Sequence, residues 1–397
     1  MKRTPVRRTS FALTGVAIMS ASLLLTACGT SQSGGSAEPV QAQAALGEME
    51  GSVSILAWPG YVEDGSNDPT VDWVSAFEEK TGCMVTSKTY GTSDEAFSLM
   101  KTGDYDVVAA SGDASLRLVA ANDVAPVNTD LIPNYDGIYD FLKMQSWNSV
   151  DGVSYGIPHG YGANLLMYNT EVVTPAPTSW DVVFDKSSAY KGKVTAYDSP
   201  ISIADAAVYL MAHQPELGIE NPYALDETQL AAAVALFKEQ RVNIGEYWSD
   251  YLKEVQAFET GDTVVGTTWQ VIRNSLAEGT PAEVVLPEEG ATGWSDTWMI
   301  AAKAKSPNCA YAWLDYIASP EANAQATEYF GEAPSNSGAC DFTVNPDHCA
   351  SYHAGDADYA AQIWYWSTPI AECIDGRTDV TCADYSAWTT AWQQIKG

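Results

Sequence analysis

Histidine is nearly missing from this chain: His159, His213, His348 and His353 are the four present in 397 residues. So few imidazoles leave little material for general acid–base work or for metal chelation. There is also no Gly-x-Ser-x-Gly elbow, no phosphate-cradling glycine loop and no histidine pair at metalloprotease spacing. Basic side chains are scarce, 20 against 51 acids. A surface of that sign excludes nucleic acid and anionic lipid headgroups as partners and is compatible with a cationic ligand. Paired carboxylates do occur, so a glycosidase stays open on composition alone. Beyond residue 27 no apolar run is long enough to cross a bilayer. No repeat at a fixed period and no long disordered block follows residue 50.

What is present begins with a leader. Lys2, Arg3, Arg7 and Arg8 precede an apolar run from Phe11 to Leu25, the pattern of an export signal. Leu25-Thr26-Ala27-Cys28 resembles a lipoprotein cleavage box, so residues 1–27 are expected to be removed and Cys28 to carry lipid. An uncleaved anchor is the alternative, for which the run is short. Arg7-Arg8 matches a twin-arginine signal weakly. Residues 28–50, rich in Gly, Ser and Gln at first, read as a flexible tether. The mature part then holds 16 basic and 51 acidic residues, net −35. Its length suffices for two domains with cores of their own.

Six cysteines remain after Cys28, an even number in an exported chain, which implies disulfides in one of 15 connectivities. The short loops favour Cys340–Cys349 and Cys373–Cys382, leaving Cys83–Cys309. His348-Cys349 with His353 could mimic a metal site, but no second cluster supplies ligands at zinc spacing. No cofactor is expected.

From Val53 the pattern alternates strand and helix. Val53–Ala57, Met84–Thr86 and Tyr105–Ala110 read as strands. Asp68-Pro69 opens a helix that carries Val71, Val74 and Phe77, Ser93-Asp94 caps a second, and Ala114–Ala121 forms a third. A second series runs through the strand Val194–Tyr197, helices Ile203–His213 and Gln229–Arg241, and the strand Val264–Thr268. It ends with a helix reaching Glu278 and the strand Glu283–Leu286. This alternation predicts an α/β class with parallel sheets covered by helices. Gly162–Tyr168 and Trp298–Ala302 are apolar and extended, as crossovers between two lobes would be.

Ligands of open parallel sheets bind beyond the carboxyl ends of the strands. Trp58 and Tyr61 follow the first strand and Ser111 with Asp113 the third. Asp198 follows Tyr197, and Trp269 follows Thr268. The stretch Glu289–Ala302 adds Trp294 and Asp296 between a glycine turn and an apolar strand. None of these ends offers Lys or Arg. Aromatic faces with a carboxylate suit an organic ammonium group. Taken singly, the tryptophans could be core, Asp113 or Asp198 could cap helices, and Trp294–Ala302 could be a half-buried edge strand.

Several blocks resemble the spermidine/putrescine-binding proteins of bacterial ABC importers (the PotD/PotF type), and most of all their YdcS-like branch. They are Ile55-Leu56-Ala57-Trp58-Pro59-Gly60-Tyr61, Ala110–Leu118, Asn128–Pro133, Ile203–Ala207, Pro287–Gly290 and Trp294–Thr297. The resemblance covers essentially everything from Val53 on. It implies a type II periplasmic-binding-protein fold, two α/β lobes joined by crossover hinge strands. Residues 51–162 and 297–335 would form the N-terminal lobe, and 163–296 and 336–397 the C-terminal one.

By the same resemblance Trp58 and Tyr61 would contact an amine, Ser111 would supply a hydroxyl, Trp269 a stacking face, Asp296 the pairing carboxylate and Trp294 an aromatic wall. The family's second acidic contact falls near Asp198, and Asp205 takes that place if the alignment shifts. Asp113 replaces a family aromatic, Glu332 a tyrosine near the second hinge, and Ile272 an aspartate of putrescine binders. The expected activity is therefore binding and not catalysis. A lipid-anchored monomer on the cell membrane, facing the periplasm or exterior, would deliver a polyamine to an ABC permease and its ATPase. A zwitterion such as γ-aminobutyrate is the nearest rival ligand, and a surface hydrolase or a stand-alone adhesion module the rival of another class.

Overall fold

The computed structural model describes residues 40–185 and 187–397. The leader and the lipidation site at Cys28 lie outside the described residues. Strands are numbered in chain order.

β1 (Ser52–Ala57) is apolar on its inner face and pairs in parallel with β2 (Met84–Thr89) on one side and β3 (Val107–Ala110) on the other. β3 is buried throughout, as expected of a strand covered on both faces. Helices Val74–Thr81, Ser93–Met100 and Gly112–Ala120 connect and cover these strands. The first starts later than Asp68-Pro69 predicts. The Asp68 carboxylate instead accepts from Thr70 N and Oγ1, and Val71 N bonds back to Asp68 O, so this stretch is a local turn.

A short hairpin, β4 (Ser149–Val150) with β5 (Val153–Ser154), leads to β6 (Ile157–Ala163). After Asn164 the chain enters a second sheet. It consists of β7 (Leu165–Asn169), β8 (Val194–Tyr197), β9 (Ile244–Trp248), β10 (Val265–Thr268) and β11 (Ala282–Val285), in the order β11-β7-β10-β8-β9. Here β8 lies parallel to β9 and β10, while β7 runs antiparallel to β10 and β11.

β12 (Ala291–Ile300) then returns to the first sheet, antiparallel to β3 and β6. β13 (Ala333–Pro334) joins β6, and β14 (Ile363–Tyr365) lies parallel to β12. Both sheets are thus mixed and not purely parallel, because each crossover strand runs back against the strands it joins. The second crossing also differs from the sequence expectation. It occurs between β11 and β12, whereas Trp298–Ile300 already pair with β3. All ten residues of β12 are buried, so it is a central strand and not a half-buried edge.

The three disulfides are Cys83–Cys309, Cys340–Cys349 and Cys373–Cys382, the pairing that the short loops favour. Cys83 and Cys309 are fully buried and tie the start of β2 to helix Pro307–Ile317 across 226 residues. Among the described residues no helix is long and apolar enough to cross a membrane.

Candidate functional site

A cavity of about 370 Å³ opens where strands of both sheets end. That size is usual for a small-molecule site. The first sheet contributes Trp58 after β1, Tyr90 after β2, Ser111 after β3, Trp366 after β14, and Trp294 and Asp296 from within β12. From the second sheet come Tyr197 at the end of β8, Ser249, Asp250 and Tyr251 after β9, and Trp269 after β10. Phe330, at the end of helix Pro320–Phe330, completes the wall. β12 alternates its side chains, so Trp294 and Asp296, two residues apart, fall on one face.

The aromatic rings brace one another. Trp58 and Tyr90 have centroids 4.5 Å apart, Trp269 meets Trp294 edge-on at 5.9 Å, and Tyr197 stacks on Trp366 at 5.7 Å. Trp58 Nε1 donates to Ser111 Oγ at 3.2 Å. Gly162 on β6 lets the Trp294 indole approach the backbone closely, since a Cβ there would stand 2.6 Å from the indole. These contacts set the faces against one another.

Asp296 is the buried carboxylate of this wall. It is 3 % exposed; its Oδ2 accepts from the Tyr61 hydroxyl at 2.8 Å, and its Oδ1 has no hydrogen-bond partner among the described residues. Burial pushes its carboxyl up to about 6, against the lowering effect of the Ser111 and Tyr61 hydroxyls. A buried carboxylate with an unused oxygen is costly unless a cation completes it.

Tyr61 lies behind this wall, fully buried, and positions Asp296. Its hydroxyl is also 3.3 Å from Glu332 Oε2. One phenolic proton cannot serve two carboxylates. Burial first, and the Asp296 charge second, hold Glu332 well above the ordinary carboxylate range. Glu332 Oε1 lies 3.4 Å from His159 Nε2, and burial lowers that imidazole to about 3, which keeps it neutral.

The remaining predicted acids do not face the cavity. Asp113 is 2 % exposed, accepts from Ser93 Oγ at 2.8 Å, and is pushed by burial up to about 6. Asp198 accepts from Trp392 Nε1 at 2.9 Å and Lys396 Nζ at 2.7 Å, both on the C-terminal helix. Asp205 accepts from Thr292 Oγ1, and burial pushes it up to about 7. Neither Asp198 nor Asp205 thus stands as the second acidic wall residue that the resemblance implied. Glu332 borders a smaller void behind Trp294 and not the main cavity. Asp205 instead anchors the crossover: Thr292 Oγ1 also accepts from Asn164 Nδ2 at 2.6 Å, and Asn164 Oδ1 accepts from Trp269 Nε1 at 2.8 Å.

Sequence reasoning missed Tyr90, Tyr197, Ser249, Asp250, Tyr251, Phe330 and Trp366. Tyr90, Ser249 and Trp366 follow strand ends, so the same rule finds them once β9 and β14 are read as strands.

Raised carboxyls make stability depend on pH. Asp113, Asp205 and Asp296 bind a proton more readily folded than unfolded between roughly pH 4 and their folded values. Unfolding free energy therefore falls as pH rises through that window. Carboxyls held low, such as Glu50 and Asp64, act in the opposite sense below about pH 4.5. His159 and His348, lowered by burial, oppose the trend up to about pH 6.5, but the raised carboxyls, Glu254 and Glu332 included, outnumber them. Scanning calorimetry of ligand-free protein should show a higher Tm at pH 5 than at pH 7.5; the reverse order would mean that these groups are not buried as described.

The chain matches the family model of bacterial extracellular solute-binding proteins over residues 72–354. It is 22 % identical over 317 residues to a putrescine/cadaverine-binding protein of Pseudomonas aeruginosa, an alignment covering 74 % of this chain and 81 % of that one. In structure it resembles the spermidine/putrescine ABC transporter substrate-binding protein PotD of Streptococcus pneumoniae, with a TM-score of 0.67 and 19 % identity, covering 87 % of this chain and 98 % of that one. A γ-aminobutyrate receptor also matches, with a TM-score of 0.61 and 18 % identity over 87 % of this chain and 98 % of that chain. At these identities the structural likeness speaks to the fold, two α/β lobes. The chain belongs to the bacterial extracellular solute-binding proteins, in the PotD/PotF-type family.

Proposed function

We propose that this protein is the lipid-anchored, monomeric binding component of an ABC importer, and that it captures a putrescine-like diamine between its lobes and hands it to a permease and ATPase. The observation that carries the ligand is the unpaired Oδ1 of Asp296, buried in a wall of aromatic faces. Such a site favours an ammonium group through charge pairing and cation–π contact. Each desolvated cation–π contact contributes about 2 kcal/mol; a few with one ion pair suffice for micromolar affinity, about −8 kcal/mol. Relatives named for putrescine and cadaverine point the same way.

In this reading the lobes part at Asn164 and between β11 and β12, a few residues ahead of the 296/297 boundary drawn from the sequence. Ligand shifts the population toward the closed form by touching both lobes at once. Trp58, Ser111, Trp269, Trp294 and Asp296 touch it directly, and Tyr61 acts through Asp296. Cys28 would carry the lipid.

γ-Aminobutyrate would need a cation for its carboxylate. Arg117 pairs with Asp94 at 2.6 Å and Arg273 lies 3.6 Å from Glu283; neither is in the cavity wall. A thermal-shift panel separates the two ligands. Putrescine and cadaverine should raise Tm by several degrees at 100 times their Kd, and γ-aminobutyrate should not. A shift with γ-aminobutyrate alone would overturn the diamine reading.

A further inference from the structure

Asp296 accounts for one ammonium group, and a diamine carries two. The acids that might have taken the second are committed elsewhere: Asp198 to Lys396 and Trp392, Asp205 to Thr292, and Asp113 to Ser93. One other carboxylate belongs to the cavity wall. Asp250 follows the carboxyl end of β9 and caps helix Tyr251–Thr260, its Oδ1 accepting from Leu252 N at 3.0 Å. It is exposed where Asp296 is buried, and its Oδ2 has no protein partner among the described residues.

We propose that Asp250 receives the outer ammonium of a two-headed cation whose inner ammonium rests on Asp296, an assignment that builds on the diamine reading above. The two carboxylates belong to different sheets, since Asp296 lies in β12 of the first and Asp250 follows β9 of the second. A cation with two heads bridges the sheets by charge at both ends, and one with a single head does not. The aromatic faces that line the same cavity, Trp269 and Trp294 among them, cover the methylene chain. Distance between charges then becomes a criterion for admission, enforced when the lobes close and water leaves the outer contact. Tyr251 beside Asp250 offers a further ring to the outer head.

The test uses the whole protein and two probes of equal carbon number, putrescine and butylamine, measured by calorimetry. Asp250→Asn keeps the helix cap, because Asn caps as well as Asp. It should weaken putrescine about fivefold or more, the upper range for an exposed ion pair, and leave butylamine within about twofold. Asp296→Asn should weaken both. If the wild type binds putrescine and Asp250→Asn binds it equally well, or loses both amines alike, the assignment of Asp250 is overturned while the diamine reading stands. If the wild type binds neither amine, the diamine reading fails and takes this assignment with it.

Discussion

Asp296→Asn should lower diamine affinity at least tenfold, by calorimetry at pH 7.5. The substitution preserves shape and still lets the side-chain oxygen accept from Tyr61, so only charge is lost. Tenfold corresponds to about 1.4 kcal/mol. Removing one partner of a buried ion pair costs about 3–5 kcal/mol, so a loss of hundredfold or more is within range. The free protein should move the other way. Its wall no longer holds a carboxyl raised to about 6 by burial, so the variant's ligand-free Tm should fall less between pH 5 and 7.5 than the wild type's. Unchanged affinity would remove Asp296 from the binding role, and with it the main support for a cationic ligand.

The second large effect concerns stability. Replacing both Cys83 and Cys309 by Ala opens a loop closed across 226 residues. Chain entropy alone assigns such a bridge about 5 kcal/mol, against about 2.5 kcal/mol for a nine-residue loop such as that of Cys340–Cys349. Both sulfurs are fully buried between β1, β2 and helix Pro307–Ile317, and alanine adds no unsatisfied polar atom there. The double variant should lose more in denaturant midpoint than the Cys340/Cys349 variant. An equal or smaller loss would show that the native packing, and not the unfolded chain, sets the bridge's worth.

Much of the site could be read from the order of residues because it follows from strand direction. Trp58, Ser111 and Trp269 each stand just past a strand, and Trp294 with Asp296 share a face by period two. What stayed hidden depended on contacts distant in sequence. Nothing near Asp198 announces that Lys396 and Trp392, 198 and 194 residues later, will claim its carboxylate. Asp205 likewise answers to Thr292, 87 residues on. β9 escaped because Gly245 and Glu246 interrupt its apolar pattern, and with it went Asp250. The mixed sheets also could not be read from local alternation, since strand direction is set when the chain turns back through β12.

β12 carries cavity-facing groups on a strand buried along its whole length and hydrogen-bonded to neighbours on both sides. A change of solute preference therefore has little latitude there, because any new side chain must also suit β3, β6 and the rings around it. The loop after β9 carries no such double duty, since Ser249, Asp250 and Tyr251 are exposed. A lineage drifting toward a longer or shorter amine would record that history at Ser249–Tyr251, while β12 stays as it is.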